Sequence, residues 1–232
     1  MFYKLSNTAN VDDMESVFGL TFKYPDIYSR NPLINGLDEE ILAIITDTNL
    51  EQIQYGIWGI LPEGYKEDWN VFQKTQNTLN TSVSDLKHSN KFSLDRRCAI
   101  LVSGFFLTYI YKGEIYPFYA YPKSRKPFAI AGIYNITHDG FITFTMLLTN
   151  ISPEVAKYHN VSKRMPIVLP TESYGTWLGN EYYLCLNKPG EIYDQQGFKT
   201  HPIAREFYKN EIVFESFLDP ADYESLAIPF ST

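Results

Sequence analysis

Apolar and polar positions change their period several times along this chain. In "NVDDMESVFGLTF" (10–22) the apolar residues Val11, Met14, Val17 and Phe18 recur at helical spacing. Asn10 stands ahead of them as an N-cap with acids in the first turn, so a helix is predicted there. "EQIQYGIWGILP" (51–62) reads as a strand with glycine interruptions that ends at Pro62. Residues 63–95 are polar, and they predict loop with a short helix around Trp69 to Phe72. "RRCAILVSGFFLTYIYKGEIYPFYAYP" (96–122) holds two β-rich runs on either side of a "KGE" hairpin turn. "PFAIAGIYN" and "ITFTMLLT" make a second pair around "HDG". In "SPEVAKYH", Ser152 is the N-cap, Pro153 the first helical residue and Glu154 a first-turn acid. "MPIVLP" is a short buried strand between prolines. "PTESYGTWLG" starts like a capping box at Thr171 and stops at Gly179. The tail alternates short strands and turns.

Many short strands with a few helices between them predict one α+β domain over residues 1–232, its core mainly antiparallel sheet, barrel-like. Composition agrees. Of 232 residues 44% are hydrophobic and 16% aromatic, with 18 Tyr and 16 Phe, a folded and strand-rich balance rather than a disordered one. Cys98 and Cys185 are too few for a disulfide framework or a cysteine-based zinc site. They fit a reducing, cytoplasmic setting. No signal peptide is expected from the opening residues, and no apolar run is long and unbroken enough to span a bilayer. A net charge of −7 lowers the expectation of a nucleic-acid partner, although a local basic patch can still hold phosphate. Short basic groups do occur: Arg96 and Arg97; Lys123, Arg125 and Lys126; Lys157, Lys163 and Arg164. Solvated loop charge is the usual account of such groups. No cofactor or metal is called for, since His88, His138 and His201 lack ligand spacing.

Several segments, read together and in order, resemble the SRAP family, the SOS-response-associated peptidases. "WGILP" (58–62) resembles that family's Trp-Gly-Leu-Ile-Pro, and "RRCAILVSGFF" (96–106) its Arg-Arg-Cys-Leu-Ile-Pro-Ala-Asp-Gly-Phe-Tyr. "KPFAIAGIY" (126–134) is similar to Pro-Phe-Ala-Phe-Ala-Gly-Leu-Trp. "TFTMLLTN" followed by "YHNVSKRMPIVLP" (158–170) is similar to the family's strand, helix and His…Arg-Met-Pro block. The resemblance implies an N-terminal cysteine, exposed by removal of Met, that closes a thiazolidine ring on the aldehyde of an abasic site in single-stranded DNA. It also implies three assisting groups: the Asn of Asn-Ala-Arg-x-Glu, the Glu of Gly-Phe-Tyr-Glu-Trp, and the His before Arg-Met-Pro.

Position by position, His159 and Arg164 match, Trp58 matches a tryptophan beside the DNA, and Asn80 matches the asparagine, with Asn77 as a second candidate. Residue 2 is Phe2, the Glu position holds Leu107 and the Trp position Thr108, and the motif's Arg and Glu positions hold Ser82 and Ser84. The expectation is a SRAP-like chain of the DNA-damage (SOS) response that has lost its covalent chemistry, with His159 and Asn80 as vestigial catalytic residues and Arg164, Trp58 and Asn80 as weak contacts to single-stranded or abasic DNA. Each residue also has a plainer reading: His159 at a helix C-terminus, Arg164 as a cap or ion-pair partner, and Trp58 as core, which its apolar strand favours. Ser82, Ser84 or Ser103 could serve as a hydroxyl nucleophile with His159, though no triad motif supports it. An enzyme with another nucleophile, a hydrolase or crosslinking activity, and a protein-interaction module without nucleic acid are the other two function classes.

Overall fold

The chain enters as a short strand, β1 (Lys4–Asn7), and turns at Asn10 into α1 (Val11–Phe18). The predicted cap forms: Asn10 Oδ1 accepts from the Asp13 N–H at 2.7 Å, and Gly19 closes the helix in the left-handed conformation. The computed structural model describes residues 2–86, 93–169, 171, 174–186, 197–208 and 215–223. The strands that follow are β2 (Thr21–Phe22), β3 (Asn31–Asn35), β4 (Ile41–Thr46) and β5 (Asn49–Trp58). Then come α2 (Trp69–Thr75), β6 (Asn80–Ser82), α3 (Val83–Leu86), β7 (Arg97–Val102), β8 (Gly104–Tyr111) and β9 (Glu114–Pro122). Next are β10 (Phe128–Ile136), β11 (Ile142–Asn150), α4 (Pro153–Ala156), β12 (Arg164–Pro166) and β13 (Val168–Leu169). α5 (Tyr174–Leu178) and β14 (Phe198–Pro202) complete the set.

β4 pairs β5 and β7, β7 pairs β10, and β10 pairs β11, all antiparallel. β11 then meets β5 in parallel, Thr143 opposite Ile57 and Phe144 opposite Trp58, which closes the ring into the expected barrel. Closure leaves those strands without a free edge. A second sheet runs β14-β9-β8-β1-β3. Because side chains alternate across a strand, β7 serves two cores. Cys98, Ile100 and Val102 join Phe105 and Phe118 of the second sheet, while Ala99 and Leu101 join Met14 of α1 and Trp177 of α5. Among the described residues no helix is long and apolar enough to cross a membrane.

Three expectations are corrected. The first β-rich run is two strands, because Ser103 breaks it and sends β7 and β8 into different sheets. Ser103 ties the corner to β1: its N–H donates to the Ser6 carbonyl at 2.9 Å, and its Oγ accepts the Thr8 N–H at 2.7 Å. Gly104 follows because Tyr119 packs on its backbone, and a Cβ there would lie 2.3 Å from the ring. Second, the polar stretch 63–95 holds more than one short helix: β6 adds to β11 in parallel, Met146 opposite Asn80. Third, Arg97 is buried rather than solvated. Its guanidinium sits 3.4 Å from Asp47, donates to the carbonyls of Trp177, Leu178 and Gly179 at the end of α5, and lies over the Tyr182 ring. Part of the helix start expected at Thr171 lies outside the described residues, as does His88.

Candidate functional site

Three distant segments meet where β1 begins. Phe2, just ahead of β1, presents its backbone carbonyl to Asn80 Nδ2 at the head of β6. Its ring stacks on the His159 imidazole, with centroids 5.0 Å apart and planes at 29°. Phe2, Asn80 and His159 are 3%, 5% and 4% exposed, so the meeting point is sealed. Asn77 is the support of this group and not its tip. Its Oδ1 accepts the N–H groups of Leu79 and Asn80 at 3.2 and 3.3 Å, and its Nδ2 faces Asn80 Oδ1 at 3.4 Å. Asn80, and not Asn77, reaches residue 2.

His159 does not sit in the last turn of a helix. α4 stops at Ala156, capped by Ser152 as expected, and the chain then runs along the edge of β8. The Asn160 side chain bonds the backbone N–H and C=O of Ile110, both at 2.8 Å, and the Asn160 N–H donates to the Thr108 carbonyl at 3.2 Å. This zipper fixes the imidazole: His159 Nδ1 accepts the Thr108 N–H at 3.1 Å. The accepting nitrogen carries no proton, so the neutral ring carries its proton on Nε2. Among the described residues that Nε2, buried under the stacked Phe2 ring, has no hydrogen-bond partner. Burial pushes the His159 pKa down to about 4, so at neutral pH the group offers an N–H donor and no charge. The dipole-stabilised cation at a helix terminus is thus not what the fold builds.

Arg164 opens β12 at the rim. Its fork donates to Asn150 Oδ1 at 3.0 Å and to Ser84 Oγ at 3.2 Å. Both partners are neutral, and among the described residues no carboxylate pairs with it. Trp58 is elsewhere: it is fully buried, Gly36 packs on its ring, and Nε1 donates to the Leu79 carbonyl at 2.8 Å. It offers no face to a base and instead braces the residue before Asn80. Leu107 is fully buried in the same apolar core that takes in Phe2. Thr108 contributes through its backbone N–H, while its hydroxyl bonds Tyr208 at 2.8 Å. Among the described residues, neither nitrogen of His159 bonds a serine. Ser82 and Ser84 bond each other at 2.6 Å, and Ser103 is committed to the β1 corner. Cys98 and Cys185 are buried, and burial pushes both thiols up, which suits inert core residues. His138 sits by Asp139 at the surface, and His201 bonds the Leu218 carbonyl at 2.8 Å. Among the described residues no three His, Cys, Asp or Glu gather to hold a metal.

Thr108, Asn160 and Tyr208 escape a reading by motif. The first two act through or upon backbone groups, which leave no mark on residue identity. Tyr208 meets Thr108 across 100 residues.

A closed barrel flanked by a second sheet, with residue 2 held between an asparagine and a histidine brought from far along the chain, defines a specific class of fold and site. The chain belongs to the SOS response associated peptidase (SRAP) family, whose model matches residues 3–209. It is 26% identical over 181 residues to the yeast (Saccharomyces cerevisiae) "Abasic site processing protein YMR114C", a match that takes in 72% of this chain and 47% of that one. The chain thus spans about half of the yeast relative's length. It is also 26% identical over 176 residues to the Bacillus subtilis "Abasic site processing protein YoaM", covering 72% of this chain and 76% of that one. A crystal structure of a Bacteroides thetaiotaomicron protein shares the fold with TM-score 0.75 at 22% identity, over 94% of this chain and 99% of that one. One from Bordetella bronchiseptica does so at 0.66 and 17%, over 87% and 99%.

Proposed function

We propose that this protein recognises abasic sites in single-stranded DNA as part of a DNA-damage response, and holds the strand without a covalent bond. Family membership and the names of the two relatives support the DNA substrate. One observation carries the non-covalent part: at the point where Asn80 and His159 converge, residue 2 supplies a phenyl ring in place of a nucleophile. The position where the family motif carries its glutamate holds Leu107, which has no carboxyl group. Loss of a nucleophile from a catalytic unit costs on the order of 10⁶ in rate, about 8 kcal/mol of barrier. A neutral, buried imidazole does not replace it. What remains suits recognition. The Arg164 fork, unneutralised among the described residues, matches a phosphate, and the His159 Nε2–H is a donor for a sugar oxygen once the Phe2 ring gives way.

The test is fluorescence anisotropy with labelled single-stranded oligonucleotides, intact and abasic, at low and moderate salt, followed by a denaturing gel. The expected result is binding that weakens as salt rises, tighter on the abasic strand, with no adduct surviving denaturation. An adduct that survives would overturn the non-covalent reading, and no binding at low salt would overturn the DNA substrate itself. Arg164→Gln is expected to weaken binding to both strands alike and to lower the salt slope by about one, as loss of a phosphate contact does. An unchanged slope would remove Arg164 from the interface.

A further inference from the structure

Arg164 is held from both flanks of a strand. It stands opposite Asn150 in the β11–β12 register, while on the other flank of β11 Leu148 pairs with Ser82 of β6. Ser84, in α3, follows on that far flank. The Arg164 fork spans the two: Nη1 donates to Asn150 Oδ1 at 3.0 Å and Nη2 to Ser84 Oγ at 3.2 Å. Asn150 and Ser84 are both exposed, so the fork lies at the surface.

Neutral acceptors decide what the guanidinium has left. A carboxylate at either place would pair with it and offset the charge that a phosphate needs. Amide and hydroxyl oxygens fix its direction alone. Arginine carries five N–H donors, of which Asn150 and Ser84 take one each. Nearby Lys157 shows the other arrangement, its ammonium 2.5 Å from the Glu154 carboxylate. Ser84 is itself anchored. Its hydroxyl lies 2.6 Å from Ser82 Oγ and 3.4 Å from Asp85 Oδ1, and Ser82 Oγ accepts the Asp85 N–H at 3.2 Å. Ser82 is 5% exposed, so the run of bonds ends in a buried residue. A long side chain already held at its tip loses less freedom on meeting a ligand than a loose one does.

We propose that Ser84 is a positioning residue for phosphate binding by Arg164: with Asn150 it holds the guanidinium across β11 at full charge. The inference rests on the reading that Arg164 meets a DNA phosphate. It adds a rule for residue 84, at which a hydroxyl supports the contact and a carboxylate removes it.

The probe is a labelled, intact single-stranded oligonucleotide, titrated by anisotropy over a range of salt. Ser84→Ala is expected to weaken binding about fivefold, as loss of one typical hydrogen bond does, and Ser84→Thr to keep it. In the Arg164→Gln chain Ser84→Ala is expected to change nothing, a result that a merely structural serine would not give. Ser84→Glu is expected to lower the salt slope by about one in an otherwise unaltered chain, and not at all in the Arg164→Gln chain. Full affinity in Ser84→Ala overturns the proposal, as does an equal weakening with and without Arg164. If Arg164→Gln lowers the slope and the Ser84 variants leave binding untouched, the positioning role falls and the DNA reading stands. If the unaltered protein binds no DNA, that reading falls, and inorganic phosphate decides the positioning role. A saturable NMR shift of the Arg164 Nε–H with phosphate, lost in Ser84→Glu, supports it, and no shift overturns it.

Discussion

Replacing Arg97 with Met is expected to lower stability by about 3–5 kcal/mol, the range for breaking a buried ion pair by removing one partner. The side chain of Arg97 is 10% exposed and that of Asp47 8%. Without the guanidinium, the Asp47 carboxylate keeps, among the described residues, the Arg97 N–H at 2.9 Å and the Tyr134 hydroxyl at 3.2 Å. The damage spreads beyond that pair. Arg97 Nε donates to the Trp177 carbonyl at 2.9 Å, and Nη2 reaches those of Leu178 and Gly179 at 3.3 and 3.4 Å. A helix end has no intrahelical donors for its last carbonyls, so Arg97 acts as the C-cap of α5 from a neighbouring strand. Urea unfolding measures the loss. The double variant Asp47→Asn with Arg97→Met is expected to recover part of it, because the uncompensated charge is then gone. Equal stability of the single and double variants would show that the carbonyls, and not the charge pair, carry the effect.

The second large effect is a pH dependence set by His159. Its native pKa is about 4, against about 6.5 in an unfolded chain. Above pH ~6.5 both states are neutral and the contribution to stability is fully present. As pH falls from ~6.5 toward 4, the unfolded chain binds a proton that the buried site rejects, and stability drops with it. Below the native value no further loss comes from this group. At pH ~4.5 the deficit amounts to about 2 kcal/mol. Carboxylates titrate in the same region and His201 is also pushed down by burial, so the readout is a difference. His159→Asn keeps an acceptor near the Thr108 N–H and removes the titration. Between pH 7 and 4.5 the unaltered protein is expected to lose about 2 kcal/mol more than the variant. Parallel losses in the two proteins would mean that the imidazole is solvated, and the sealed site with it would be wrong. The same shift bears on the proposed function: a ring that stays neutral at physiological pH cannot hold phosphate as a cation, so the proposal rests that contact on Arg164 and not on His159.

Local signals in the chain were read correctly where the physics is local. Asn10 and Ser152 cap the helices they were expected to cap, because a side-chain oxygen two or three residues from a free N–H needs no tertiary help. The "KGE" and "HDG" turns join strands as read, since turn residues and flanking β-rich runs specify a hairpin between neighbours. Ordered motifs carried the family and the α+β barrel. What they could not carry was the break at Ser103, because a continuous apolar run looks the same whether it serves one sheet or two. β6 lay hidden in a polar stretch for a related reason: its pairing partner, β11, is far away in sequence.

The candidate site divides along the same line. Sequence alone named His159, Asn80 and Arg164 and put a phenylalanine at position 2. It placed Trp58 both beside DNA and in the core, and it counted Arg97 among solvated charges. Only the tertiary structure could decide those two, since burial depends on what packs against a side chain: Gly36 lies on Trp58, and the end of α5 lies on Arg97. Only the structure could show that Phe2, Asn80 and His159 meet, or that the Thr108 N–H selects the tautomer of His159. Contacts made through backbone groups and across more than 50 residues leave no trace in residue identity. They exist because the barrel and the second sheet close upon one another.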